Sequence, residues 1–275
     1  MLSPQDSLVI EIKSQFSSDW QVPNFVIDFW DGVSKDYCVI IPVINEGDRI
    51  RKFVQRLKHN NIDSIADIII VDGGSTDGSL EQAYLRSMSV RGLVVKTGPG
   101  KLSAQLRVAY AFACTQSYKG MVTIDGNNKD DPSSIPAFID ALAHGYDFVQ
   151  ASRFLPGGVA VNTPLARDLA IRLLHAPALS VSSGFKWTDT TQGFRAYSKT
   201  LICSKKLQVF RDVFVGYELL AYLSYAAPKL GFRCIELPSI REYPRGSTPT
   251  KISAIRGNLQ VIKVLAKACL GLYLP

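Results

Sequence analysis

The sequence predicts an α/β fold, a single domain whose largely parallel sheet is flanked by helices, and two observations carry this. From residue 37 onward, short β-branched runs alternate with stretches of helical periodicity. The connections between them are short, as in strands joined by crossover helices. With 275 residues, 47% of them hydrophobic and 20% charged, the chain has ample material for one core.

Residues 1–36 hold Trp20, Phe25, Phe29 and Trp30 without a clear period, and read as an N-terminal extension packed on the domain. Strands are then expected at 38–43, 68–71, 92–96, 120–125 and 147–152, with helices at 49–60, 79–88, 102–116 and 133–143. After Gly157 the order is less regular: a helix at 164–176, a strand at 194–198, a helix at 217–230 and a strand at 234–238. A proline-bearing loop, 241–251, precedes a last helix at 252–270. The division expected is therefore extension 1–36, main domain 37–250 and C-terminal amphipathic helix 251–275. In that helix Ile255, Leu259, Ile262 and Cys269 recur at helical spacing beside Arg256, Lys263 and Lys267, which suits either core packing or a membrane surface.

No apolar run reaches the roughly 18 to 20 residues of a membrane span, and the first residues lack the features of a secretory signal. A cytoplasmic protein is expected, with peripheral contact at a membrane surface left open. Cys38, Cys114, Cys203, Cys234 and Cys269 are scattered without a C-x-x-C pair, so reduced, mostly buried thiols are expected instead of a zinc site or disulfide framework. A formal charge of +7 and a pI near 9.1 favour an anionic partner without choosing among nucleotide, phospholipid and nucleic acid.

Ligands of open parallel sheets collect at the carboxyl ends of the strands, and three such ends carry chemistry. Pro42-Val43-Ile44-Asn45-Glu46 closes an apolar strand with polar groups able to bind hydroxyls or ring nitrogens. In Val71-Asp72-Gly73-Gly74-Ser75-Thr76-Asp77-Gly78 the paired glycines admit a ligand close to the backbone, Asp72 can accept from a nucleobase N–H, and Asp77 reads as a turn or helix cap. Ile124-Asp125-Gly126-Asn127 offers two hard oxygen donors on one side of a turn, fit for Mg²⁺ or Mn²⁺ shared with a diphosphate. Asp131, followed by Pro132, caps the next helix, while Asp130 is left as an outer group. Gly98-Pro99-Gly100-Lys101 lacks the first glycine and the Ser or Thr of a P-loop; Lys101 can still reach a phosphate, and a turn opening the next helix explains the glycines equally well.

In this order and spacing the segments resemble the family 2 glycosyltransferases of the GT-A fold, most closely the branch of dolichyl-phosphate mannosyltransferases and polyprenyl-phosphate glycosyltransferases. The resemblance extends through Ala151-Ser152-Arg153-Phe154, Asp189-Thr190-Thr191-Gln192-Gly193-Phe194-Arg195 and Tyr217-Glu218-Leu219. It implies an enzyme that transfers a sugar from a nucleotide-diphosphate donor to a sugar or phosphate-bearing acceptor, with inversion. Pro42, Ile44, Glu46 and Asp72 then hold base and ribose, and Asp125 and Asn127, flanking Gly126, hold the metal. Arg153 and Arg195 face the acceptor, Asp189 and Glu218 are the candidate general bases, and Arg245 and Lys251 belong to a basic loop over the diphosphate. Two departures stand out. Asn127 replaces the usual second carboxylate, and Lys129 stands where a neutral metal ligand is common; lacking a lone pair it cannot coordinate, and reads either as a solvated surface lysine or as a group that neutralises the donor diphosphate directly. A sugar nucleotidyltransferase and a catalytically silent nucleotide-sugar-binding paralogue remain as alternatives; no nucleic-acid partner is expected.

Overall fold

The computed structural model describes residues 4–244 and 256–275. Its centre is an eight-stranded sheet in the order β1-β4-β3-β2-β5-β8-β6-β9, formed by β1 (Phe25–Trp30), β2 (Tyr37–Val43), β3 (Asp67–Asp72), β4 (Val90–Lys96), β5 (Gly120–Thr123), β6 (Phe148–Ser152), β8 (Arg195–Ser198) and β9 (Cys234–Pro238). β2, β3, β4 and β5 run parallel, as do β6 and β9, while β1 and β8 are antiparallel to their neighbours. Every residue of β3 is buried, as a parallel strand covered on both faces requires, and its run Ile68-Ile69-Ile70-Val71 supplies both surfaces.

Helices cover each face. On one side, α2 (Asp48–His59) buries Ile50, Phe53, Val54 and Leu57, and packs with α3 (Gln82–Ser87) and α5 (Ile135–Ala143) on one hydrophobic core. On the other, α4 (Leu102–Thr115) is buried along nearly its whole length beneath α9 (Glu218–Lys229), with α1 (Pro4–Ser14), α7 (Ala176–Ser183), α8 (Lys199–Ile202) and α10 (Arg256–Cys269) completing the second core. Between β6 and α7 lie β7 (Val159–Val161) and α6 (Leu165–Ala170); β7 pairs in parallel with β10 (Ile240–Glu242) as a small second sheet.

The N-terminal extension does more than pack on the domain: β1 completes the sheet edge against β4. Its alternation of Phe25, Ile27 and Phe29 inward is masked in the sequence by Val26, which is exposed. The helix expected to stop at residue 176 continues to Ser183: a π-helical turn, Ile171–His175, gives way at Ala176 to a new helical segment, and Pro177 falls in its first turn, where proline is tolerated. α10 sends Val264, Leu265 and Ala268 into the core, while Leu259 and Ile262 stay exposed.

Candidate active site

The chain runs β2, β3, β4 to one side and then returns to place β5 on the other side of β2, so the strand order reverses between β2 and β5. Such a reversal opens a crevice at the carboxyl edge. A cleft of about 550 Å³ lies there, lined among others by Pro42, Ile44, Glu46, Asp125, Gly126 and Asn127.

The two loops after β2 and β3 hold each other. Asn45, at φ 48°, donates its N–H to Ser75 Oγ at 2.9 Å, and its Oδ1 accepts Thr76 N–H at 2.8 Å. Gly47 N–H donates to Asp77 at 2.8 Å, and Asp77 also accepts from Ser79, so it staples a turn well before α3 begins at Gln82. Burial would raise the Asp77 pKa, but the hydrogen bonds from Ser79 and Gly47 outweigh it and lower it. Asp72 lies beneath this turn, 5% exposed, both oxygens accepting from Ser75. Glu46 pairs with Arg49 at 2.7 Å at the cleft wall. Under both loops, Gln105 of α4 donates to the carbonyls of Val43 and Val71 and ties the ends of β2 and β3 together.

Asp125 forms the floor. Its Oδ2 accepts from Asn127 Nδ2 at 3.3 Å and lies 3.4 Å from Nη2 of Arg241, whose other nitrogen, Nη1, donates to Asp130. Arg241 is 7% exposed and Asp130 fully buried. Burial opposes the guanidinium's charge, but the Asp130 and Asp125 carboxylates outweigh it and raise its pKa. Asp130 thus stands behind Arg241, one partner removed from Asp125. Asp131 caps the short turn Pro132–Ser134 through Ser133, as its sequence context predicts.

The walls are basic. Lys96, at the end of β4, is 8% exposed and donates to Gly98 O at 2.7 Å; burial lowers its pKa against the pull of Asp72. Lys129 Nζ lies 4.9 Å from the Tyr243 ring centre, and Arg167 of α6 donates to the Tyr243 hydroxyl at 3.1 Å. Lys129 is lowered by burial and then by Arg241. Among the described residues the cleft holds six basic side chains, Arg49, Lys96, Lys101, Lys129, Arg167 and Arg241, against two acids, Glu46 and Asp125, which favours an anionic ligand. Lys101 lines this cleft, but the loop before it is no phosphate cradle. The N–H groups of Lys101, Ser103 and Ala104 at the start of α4 already donate to Val215 and Gly216 carbonyls. Gly100, at φ +106°, keeps the turn where a Cβ would lie 2.4 Å from that of Ala104.

A model of glycosyl transferase family 2 matches residues 38–204, from the first central strand through the cleft loops to α8. The chain belongs to glycosyl transferase family 2. Among its relatives, an undecaprenyl-phosphate mannosyltransferase of Micrococcus luteus is 26% identical over 72% of this chain and 80% of its own length. A polyprenol monophosphomannose synthase of Mycolicibacterium smegmatis is also 26% identical, over 73% and 75%. The fold is similar to that of glucosyl-3-phosphoglycerate synthase from Mycobacterium tuberculosis in complex with UDP, with a TM-score of 0.57 and 19% identity over 86% of this chain and 80% of that one.

Within this glycosyltransferase, several residues expected in the site are committed elsewhere. Arg153 and Asp189 form a buried bidentate pair, Nε to Oδ2 at 2.7 Å and Nη2 to Oδ1 at 3.1 Å. Burial would raise the Asp189 pKa, yet Arg153 first, then Gln192 and Thr191, lower it, which removes the proton affinity a general base needs. Arg195 is fully buried and donates to the carbonyls of Thr190, Gln192 and Leu220, so it fastens the segment 189–195 to α9 and presents nothing to an acceptor. Glu218 accepts Val215 N–H at 3.0 Å and also bonds Gly216, closing the turn before α9, while its neighbour Tyr217 lines the cleft. Arg245 and Lys251 lie outside the described residues.

Lys96, Gln105, Arg167 and the pairing of Arg241 were not anticipated. Lys96 was within reach of the strand-end rule, since it closes β4 as Asp72 closes β3. Arg167 and Gln105 gave no signal, because helix residues reach the cleft only through packing. For a divalent ion Asp125 offers a carboxylate; the Asn127 amide oxygen, of the right hardness, accepts Lys129 N–H at 3.2 Å while Nδ2 faces Asp125, so the amide must turn for its oxygen to join, and among the described residues no third acid, His or Cys completes the set. This donor set fits an ion that takes its remaining ligands from a diphosphate and water.

Proposed function

We propose that this enzyme transfers a sugar from a nucleotide-diphosphate donor to a polyprenyl phosphate, in one displacement that inverts the anomeric carbon. The observation that carries the reading is the disposition of charge in the cleft: basic side chains surround Asp125, and the acids there are paired, Glu46 with Arg49 and Asp125 with Arg241. A sugar hydroxyl needs a base to remove its proton, and Asp189 and Glu218 are both engaged in structural bonds. A phosphate monoester, with a second pKa of about 6, is already an anionic nucleophile near neutrality. The names of the M. luteus and M. smegmatis relatives support the same acceptor class.

In this reading Pro42, Ile44 and Glu46 form the nucleoside wall, while Lys96, Lys101 and Lys129 balance the diphosphate. Asp125 and Asn127 would hold Mg²⁺ or Mn²⁺, which supplies Lewis-acid stabilisation of the departing diphosphate. Arg167, beside Lys129 at Tyr243, meets the acceptor phosphate with a bidentate fork. The protein is to be incubated with radiolabelled GDP-mannose, UDP-glucose and UDP-N-acetylglucosamine, each with undecaprenyl phosphate or 3-phosphoglycerate, and Mg²⁺ or Mn²⁺. Label in the lipid fraction confirms the reading. Label in the soluble acceptor overturns the acceptor assignment, and pyrophosphate release from a nucleoside triphosphate with a sugar phosphate would make the enzyme a nucleotidyltransferase.

A further inference from the structure

Arg241 stands where the floor of the cleft meets a buried carboxylate. β9 ends at Pro238, and β10 carries the chain back beneath the cleft, with Arg241 bridging to Asp130 in the backbone as well as through its side chain. One guanidinium nitrogen is committed to Asp130, which is fully buried and whose Oδ1 has no hydrogen-bond partner among the described residues. The other lies 3.4 Å from Asp125 Oδ2, the oxygen that Asn127 Nδ2 also approaches at 3.3 Å. The donors on Asp125 are therefore cationic or neutral groups of the protein.

We propose that Arg241, positioned by Asp130, is a built-in counter-charge that shares Asp125 with the divalent ion, so that the ion enters only together with a nucleotide diphosphate. The charges around the site explain the order. Arg241 Nη2 lies 3.4 Å from Asp125 Oδ2, so an incoming divalent cation must displace a like charge from the carboxylate it needs. Asn127 holds back the second carboxylate that would otherwise tip the balance. A diphosphate adds two or more negative charges, turns Arg241 and Lys129 toward phosphate oxygens and gives the ion both charge and ligands. The inference rests on the reading that the cleft takes a nucleotide diphosphate, but one arm of its test needs no nucleotide.

The measurement is the free Mn²⁺ signal in electron paramagnetic resonance, with wild type and the charge-balanced variant Arg241→Met with Asp130→Asn. Removing both members avoids leaving either charge buried alone. With Mn²⁺ alone, wild type should show no binding at concentrations that saturate it in the presence of UDP or GDP. The double variant should bind Mn²⁺ alone at least tenfold more tightly than wild type, and its metal-free affinity for UDP or GDP should fall at least tenfold. Nucleotide-independent Mn²⁺ binding by wild type overturns the proposal, and this holds whether or not the variant folds. So does a variant of native circular dichroism whose Mn²⁺ affinity is unchanged. Failure of every nucleoside diphosphate to bind refutes the donor reading instead, while the Mn²⁺-only comparison still decides the role of Arg241.

Discussion

A Cβ built on Gly193 lies 2.3 Å from Oδ1 of Asp125 and 3.0 Å from its Cγ, so the backbone of the segment before β8 is the wall on which the floor carboxylate rests. No side chain fits between them. Arg195 and the Arg153–Asp189 pair fix this segment from behind, and so act on the cleft through Gly193.

Gly193→Ala should therefore push Asp125 out of place without disturbing the core. The expected outcome is at least a tenfold fall in kcat/KM with a small change in melting temperature. Asp125→Ala should abolish transfer and most metal-linked donor binding, and Asn127→Asp should retain or tighten metal binding. Wild-type kinetics in Gly193→Ala would show that Asp125 has room to move.

Arg153→Ala is expected to act on stability. It leaves the Asp189 carboxylate buried without its partner, a change that costs about 3 to 5 kcal/mol. Urea unfolding should show that loss, and Arg153→Met with Asp189→Leu should recover part of it. Full stability with selective loss of acceptor affinity would return Arg153 to the acceptor site.

The fold was legible where packing forces a pattern. β3 needs apolar residues on both faces and has them, and the sites at Pro42 and Asp125 are legible because ligands of a parallel sheet collect at the carboxyl ends of its strands. What stayed hidden are partnerships between residues distant in the chain. A motif shows that Asp189 and Arg195 belong together, but not that one faces Arg153 and the other three carbonyls. Likewise Asp130 looks like a turn residue until Arg241, 111 positions later, is brought against it.

His175, in the π turn, bonds Thr190 at 2.6 Å, and burial, then Arg195, pushes its pKa down to about 4. Its folded pKa lies below the unfolded value near 6.5, so protonation favours the unfolded chain. Stability is unaffected above about pH 6.5, falls as pH drops toward 4 and loses no more to this group below that. At pH 5 the loss is about 2 kcal/mol relative to pH 8, on a scale of 1.36 kcal/mol per unit. Urea unfolding at both pH values should show it, and His175→Gln should shrink the difference.

The acceptor proposed here is a lipid, and the test of it lies in the helical stretch from α6 to α7, which leaves apolar side chains exposed. Its inner face buries Ile171, Ala176 and Leu179, yet Leu165 and Leu173 are each 73% exposed, Val181 is 88% exposed, and Leu169 and Leu174 are exposed beside them. A helix apolar on both faces is not settled by water alone. Arg167, on the same stretch, lines the cleft, and α10, which packs on α7, adds exposed Leu259 and Ile262 next to Lys263. The expected outcome is flotation with vesicles of phosphatidylglycerol and phosphatidylcholine at low salt, weakening as salt rises, since each basic residue near an anionic surface contributes about 1 kcal/mol. Leu165→Glu with Leu173→Glu should lower vesicle binding at least tenfold while leaving circular dichroism and donor binding unchanged, because neither side chain enters the core or the cleft. Leu259→Glu separates the contribution of α10. If wild type ignores vesicles at every ionic strength while its chemistry proves to be sugar transfer, the exposed leucines serve something other than a lipid surface, and the acceptor is a soluble phosphate that reaches Arg167 from solution.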